Sequence, residues 1–170
     1  MLNVNWATIA LPILALVLVV IWGTEALADA HTSITTLEAK LADAVKAKDP
    51  DKIMANYQNS DDLVVFDVIP PRQYTGWNAY KEDWRNFLAQ CKDAPNLQIS
   101  NLEIDGDTRV AYSHSIQHFT CTNQQGQKVD ITLRVTDGYH NFHHQWLISH
   151  EHVSVPVDVT TGKADLTSKP

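Results

Sequence analysis

From Leu97 to Val155 the sequence runs with a two-residue apolar–polar period, broken only by turn signals. Leu97 to Ile104 is one strand, and Asp105-Gly106-Asp107 turns the chain. Val110 to Thr122 is a second, longer strand, closed by the turn Asn123 to Gly126. Lys128 to Tyr139 and Gln145 to Val155 complete a meander. Strands joined by short turns pair antiparallel, because parallel pairing needs a long crossover.

The preceding segment has the helical period instead. Ile34, Leu37, Leu41, Ala44 and Val45 fall on one helical face, with Thr35-x-x-Glu38 fitting a capping box and an end near Lys48. Asp49-Pro50 reads as an N-cap followed by Pro at the first helical position, so a short second helix turns Ile53, Met54 and Tyr57 inward. Asn59 to Asp62 is a turn, Leu63 to Val68 a strand, and Pro70-Pro71 its end. Trp77, Tyr80, Trp84, Phe87, Leu88 and Cys91 form the apolar stripe of a third helix. Helices followed by consecutive strands predict an α+β fold: a curved antiparallel sheet forming a cone, covered by three N-terminal helices. The open end of a cone is a natural pocket.

The chain has 170 residues, 44% of them hydrophobic and 19% charged, which suits one globular domain. Its net charge of −7 and lack of a basic run argue against a nucleic-acid surface or a lipid-headgroup site. Ala7 to Trp22 carries no charge, and Ala26-Leu27-Ala28 and Ala28-Asp29-Ala30 both fit a signal-peptidase site. Residues 1–30 are therefore expected to be a signal peptide, with an uncleaved anchor as the alternative, since the run is slightly short of the ~20 residues that span a bilayer. Either way the rest is exported, to a periplasm or beyond. Residues 31–159 would form the cone domain, free of the membrane once the signal is cleaved, and 160–170 a polar tail. Cys91 and Cys121 are the only cysteines, and in an oxidising compartment they can form a disulfide. Two buried free thiols are the other reading.

Four stretches carry a family resemblance: AKDPDKIMANY (Ala47–Tyr57), VVFDVIPPRQYTGW (Val64–Trp77), LRVTDGY (Leu133–Tyr139) and WLISHEHVSVP (Trp146–Pro156). With the element order, they resemble the SnoaL-like and ketosteroid-isomerase-like branch of the nuclear-transport-factor-2-like superfamily, over roughly Ser33 to Val159. The resemblance implies a curved-sheet cone with a deep, mostly apolar pocket, often paired as a dimer through the sheet. It implies a general-base Asp after the first strand, and Asp67 is the matching position. The isomerases' oxyanion-hole residues do not carry over. The position of their Tyr on the first helix is similar to Leu41 here, and Val110 to Phe119 offers no Asp.

Side chains two apart on a strand share a face. Trp146 and Ile148 continue as His150, His152 and Ser154, which reads as a core running into a pocket. Arg134 and Thr136 are then expected to point into the cone, which sends Ile131, Leu133 and Val135 to the outer face, where a second copy would cover them. His114 and His118 share a face with Val110, Tyr112 and Ile116. The resulting expectation is an acid–base site with Asp67, His150 and His152 as catalytic groups. Tyr57, Tyr74, Trp84, His114, His118, Arg134, Thr136 and Ser154 would bind the ligand. A structural network of the same residues is the alternative. His150 and His152 lie about 6.6 Å apart along a strand, close enough to share a metal ion. No metal-binding motif supports one, so neither metal nor cofactor is expected. The sequence thus points to an exported small-molecule-binding domain. It is either a cofactor-independent isomerase, lyase or hydrolase, or a non-catalytic binding or assembly module, in both cases a homodimer.

Overall fold

The computed structural model describes residues 30–168. The expected signal peptide or anchor lies outside the described residues, except for Ala30. Helix α1 runs over 30–46, α2 over Pro50–Met54 and α3 over Trp77–Ala89. The strands are β1 (Val64–Phe66), β2 (Tyr74–Thr75), β3 (Asn96–Gly106), β4 (Val110–Thr122), β5 (Lys128–Phe142) and β6 (Gln145–Ser154). They form one curved, open sheet in the order β2-β1-β6-β5-β4-β3. It is antiparallel throughout except that β1 runs parallel to β6. The short strand β2 had no sequence signal. Among the described residues no helix is long and apolar enough to cross a membrane.

Asp49 caps α2 as expected, its carboxylate accepting from the backbone N–H groups of Asp51 and Lys52. The capping box at Thr35 is not formed. That residue lies inside α1, its hydroxyl donates to the His31 carbonyl, and Glu38 is buried. Ile34, Leu41 and Val45 of α1 pack with Ile53, Met54, Tyr57, Tyr80, Phe119 and Ile148 in one core. Cys91 and Cys121 form a disulfide with Cα atoms 5.8 Å apart, tying the segment after α3 to β4. The C-terminal tail returns to the sheet, where the Leu166 carbonyl accepts from the Thr132 N–H at 2.7 Å.

The two sheet faces are the reverse of the sequence expectation. Val135 is buried, and Ile131 and Leu133 lie with it on the inner face toward α3. Arg134, Thr136, His150, His152, Ser154, His114 and His118 therefore lie on the outer face. The cause on β6 is a bulge. Gly138 pairs with His150 and Tyr139 with Ile148, so Ser149 has no partner across the ladder. One extra residue flips the parity of everything beyond it. Trp146 and Ile148 face inward before the bulge, and Glu151 and Val153 face inward after it.

Candidate functional site

Helix α3 presents Tyr80, Asp83, Trp84 and Phe87 at the spacing that keeps side chains on one helical face. This face looks onto Phe119 of β4, Leu133 and Val135 of β5, and Glu151 and Val153 of β6. Asp67, Val68 and Ile69, just beyond β1, close one side. Between them lies a cavity of about 80 Å³. That is room for several waters or one small ligand, well below the ~300 Å³ where pockets for larger ligands begin.

Three carboxyls stand on its wall, those of Glu151, Asp67 and Asp83. Glu151 is 4% exposed. Tyr80 Oη donates to its Oε1 at 2.7 Å, and Tyr57 Oη donates to its Oε2. Burial pushes its carboxyl up to about 7, against the two hydroxyl donors and with help from Asp67 and Glu38 nearby. Asp67 is half-buried and accepts from the Val68 N–H. Desolvation raises its carboxyl to about 6, opposed by that N–H and reinforced by the Asp83 charge. Asp83 is itself raised by burial and accepts from Tyr74 Oη at 2.6 Å.

Behind this wall two further acids are buried. Asp137 and Glu38 are each 1% exposed. Asp137 sits directly across from Glu151 in the β5–β6 ladder. Glu38 reaches over from α1 and accepts from Tyr139 Oη at 2.7 Å, and that hydroxyl also meets Ser113 Oγ at 2.8 Å. Burial is the main cause that raises both carboxyls, and the neighbouring acids push Asp137 higher still. Asp137 Oδ1 and Glu38 Oε2 have no hydrogen-bond partner. Among the described residues, no Lys, Arg or His lines the cavity.

The residues expected from sequence divide accordingly. Asp67 and Trp84 are on the cavity wall, Tyr57 is beneath Glu151, and Tyr74 holds Asp83. The structure does not bring Asp67, Arg134, His150 and His152 together. On the outer face, a His150 ring nitrogen lies 2.7 Å from the Val64 carbonyl oxygen, and the Phe66 ring packs edge-on to His150 and His152. His114 lies 3.5 Å from Glu103 and His118 2.7 Å from Asp130. Among the described residues no three His, Cys, Asp or Glu side chains are placed to hold a metal ion.

The residues missed by sequence reasoning are Glu151, Asp137, Glu38, Tyr80 and Asp83. Their shared signal is an acid or hydroxyl on an apolar stripe. Glu38 falls four residues after Ile34 and three before Leu41. Asp137 continues the alternation Ile131, Leu133, Val135, and Asp83 lies between Tyr80 and Phe87 on one helical face.

Residues 34–158 match the model of the SnoaL-like domain. The chain belongs to the SnoaL-like family. Several solved structures share its fold. A nuclear-transport-factor-2-like protein of unknown function from Pseudomonas putida KT2440 is 30% identical, with a TM-score of 0.73, covering 83% of this chain and 96% of that one. A superfamily protein from Salmonella enterica serovar Typhimurium is 19% identical, with a TM-score of 0.68 over 79% of this chain and 96% of its own. A candidate scytalone dehydratase from Novosphingobium aromaticivorans is 15% identical, with a TM-score of 0.71 over 79% of this chain and 89% of its own. At such identities the last two speak to the fold alone. No curated protein matches the sequence significantly.

Proposed function

We propose that this SnoaL-like domain binds a small molecule in the α3–sheet cavity and performs acid–base chemistry on it without a cofactor. Asp67 is the base. The observation that carries this reading is that Asp67 and Glu151, from separate elements, stand on one largely apolar wall, with Asp67, the more accessible, raised to about 6. A base works best when its pKa lies near the operating pH. Glu151, held by Tyr57 and Tyr80 and raised to about 7, is the matching proton donor. His150 and His152, on the other face, take no part. The reaction class is proton transfer at a carbon next to a carbonyl or a leaving hydroxyl, as in an isomerase or dehydratase.

The test is deuterium exchange. Small ketones and β-hydroxy ketones are incubated in D2O with the wild type and with Asp67→Asn, and loss of the α-proton signal is followed by NMR. The reading requires exchange by the wild type at least about a hundredfold faster than by the variant, the scale of general-base catalysis. Equal rates in both would leave only a binding domain.

Export and pairing belong to the same reading. The uncharged run Ala7 to Trp22 and the two A-x-A sites support export with cleavage at Ala28 or Ala30. The support for a second copy changes, because Ile131, Leu133 and Val135 face inward. It now rests on Phe66 and Tyr112, 38% and 51% exposed on the outer face among the histidines and Arg134.

A further inference from the structure

We propose that Gln117 sets the ligand specificity of the cavity, and that the ligand is a small neutral hydroxy ketone held by its hydroxyl at Gln117. The inference rests on the acid–base reading for the ligand's carbonyl end and goes beyond it at the other end. Gln117 is 7% exposed and lies on the cavity wall. Its neighbours across the ladder, Ile99 on β3 and Leu133 on β5, are both apolar. The amide donates to Ser115 Oγ at 3.5 Å, the outer limit of a hydrogen bond, and makes no other side-chain hydrogen bond among the described residues. An amide carries two N–H donors and an accepting oxygen, so most of its capacity is unused. Buried polar groups are rarely left so, and the cavity is the side from which a partner can come.

The amide also decides what kind of group it takes. It is uncharged and both donates and accepts, which matches a hydroxyl. An anion is disfavoured by the carboxyls on the wall, where no basic side chain stands among the described residues. Register sets the distance between the two ends. Gln117 on β4 and Glu151 on β6 flank β5, and two spacings of about 4.8 Å put their strands about 10 Å apart. Between them Val135 lies opposite Ser115 and Val153. The bond to Ser115 leans the Gln117 amide along β4 toward that rung, the side on which Glu151 lies. A ligand that reaches from Glu151 to Gln117 therefore crosses Val135, with Trp84 and Phe87 of α3 facing it. It is polar at each end and apolar between. A hydroxyl held at Gln117 stands apart from Glu151, so it is a handle and not a leaving group. At about 80 Å³ the cavity limits the ligand to a handful of heavy atoms.

The test compares 4-hydroxy-2-butanone with 2-pentanone, neutral ketones of equal length that differ in one hydroxyl. Binding to the full folded protein is followed by NMR titration through the side-chain NH2 signal of Gln117, assigned from the backbone resonances. The hydroxy ketone should bind about tenfold more tightly and move that signal, because 2-pentanone leaves the amide unpaired. Gln117→Met keeps the length of the side chain and removes both hydrogen-bonding functions. It should bring the two affinities within about threefold, read through the indole N–H signal of Trp84. The wild-type comparison needs no variant, so loss of the fold on substitution leaves the test intact. The proposal is overturned if neither ketone binds, if both bind alike to the wild type, if the Gln117 signal stays in place, or if Gln117→Met keeps the preference. Deuterium exchange next to the carbonyl reads the other end of the ligand. Exchange without a hydroxyl preference would sink the role of Gln117 and leave Asp67 as the base. A preference without exchange would sink the base and leave Gln117 as the hydroxyl site.

Discussion

Glu151 ties the stability of the fold to pH. A carboxyl that costs energy to ionise in the fold makes folding favour the protonated form. Its pKa is about 7 in the folded chain against 4.5 when unperturbed. The stability it contributes is complete below about pH 4.5 and is lost as pH rises through 7. The loss is on the order of 3 kcal/mol by pH 8. Asp67, raised from 3.8 to about 6, adds a smaller loss of the same sign over a lower window. The melting temperature of the ligand-free protein should therefore fall between pH 5 and pH 8, and Glu151→Gln should flatten that fall. A wild-type melting temperature that rises across this range would contradict the burial of an ionisable Glu151. Asp67→Asn, at a half-buried position, should leave the melting temperature within a few degrees, since the backbone N–H groups of Val68 and Ile69 can still donate to the amide oxygen.

At the scale of elements, the strands and helices were legible because their periods are strong. The β4 bounds match the sequence expectation at both ends, and Asp49-Pro50 marked α2 correctly. The faces were harder to read. A period of two says which residues share a face but not which face is inside, and on β6 the count also crosses the Ser149 bulge. Of the five histidines between His140 and His152, His150 and His152 lie on the outer face, which alternation alone does not reveal. The acids on the cavity wall are written as isolated acids on apolar stripes, a pattern that also describes solvated residues at an element's edge. Asp67 is legible by its position after β1, and it lies on the cavity wall. Cys91–Cys121 was equally legible, as the only pair available. Replacing both with Ser opens a 30-residue loop and should cost roughly 3–4 kcal/mol in the chain-entropy model, read as a lower denaturant midpoint with a slope that rises as the unfolded chain expands. An unchanged midpoint would mean the bridge adds nothing to the fold.

For the whole molecule, the family sets the architecture and this chain's own residues set what lines the cavity. The cone's interior carries acids and aromatics, while its outer sheet face carries His114, His118, Arg134, His150 and His152. A second copy laid on that outer face would leave the cavity untouched, so pairing and ligand binding should be separable. Light scattering at micromolar concentration should give twice the chain mass, and Phe66→Asp should return it to the monomer without altering ligand affinity. A monomeric wild type would remove the dimer from the account. Intact mass of exported material should begin at Asp29 or His31, and a mass that includes Met1 would leave only the anchor. The central claim is that two carboxyls on one apolar wall titrate near neutrality. Carbon-13 NMR titration of the side-chain carboxyls reads this directly. Asp67 should titrate at about 6 and Glu151 at about 7, each identified by its Asn or Gln variant. Midpoints at or below about 4.5 for both would show ordinary solvated acids and contradict the site.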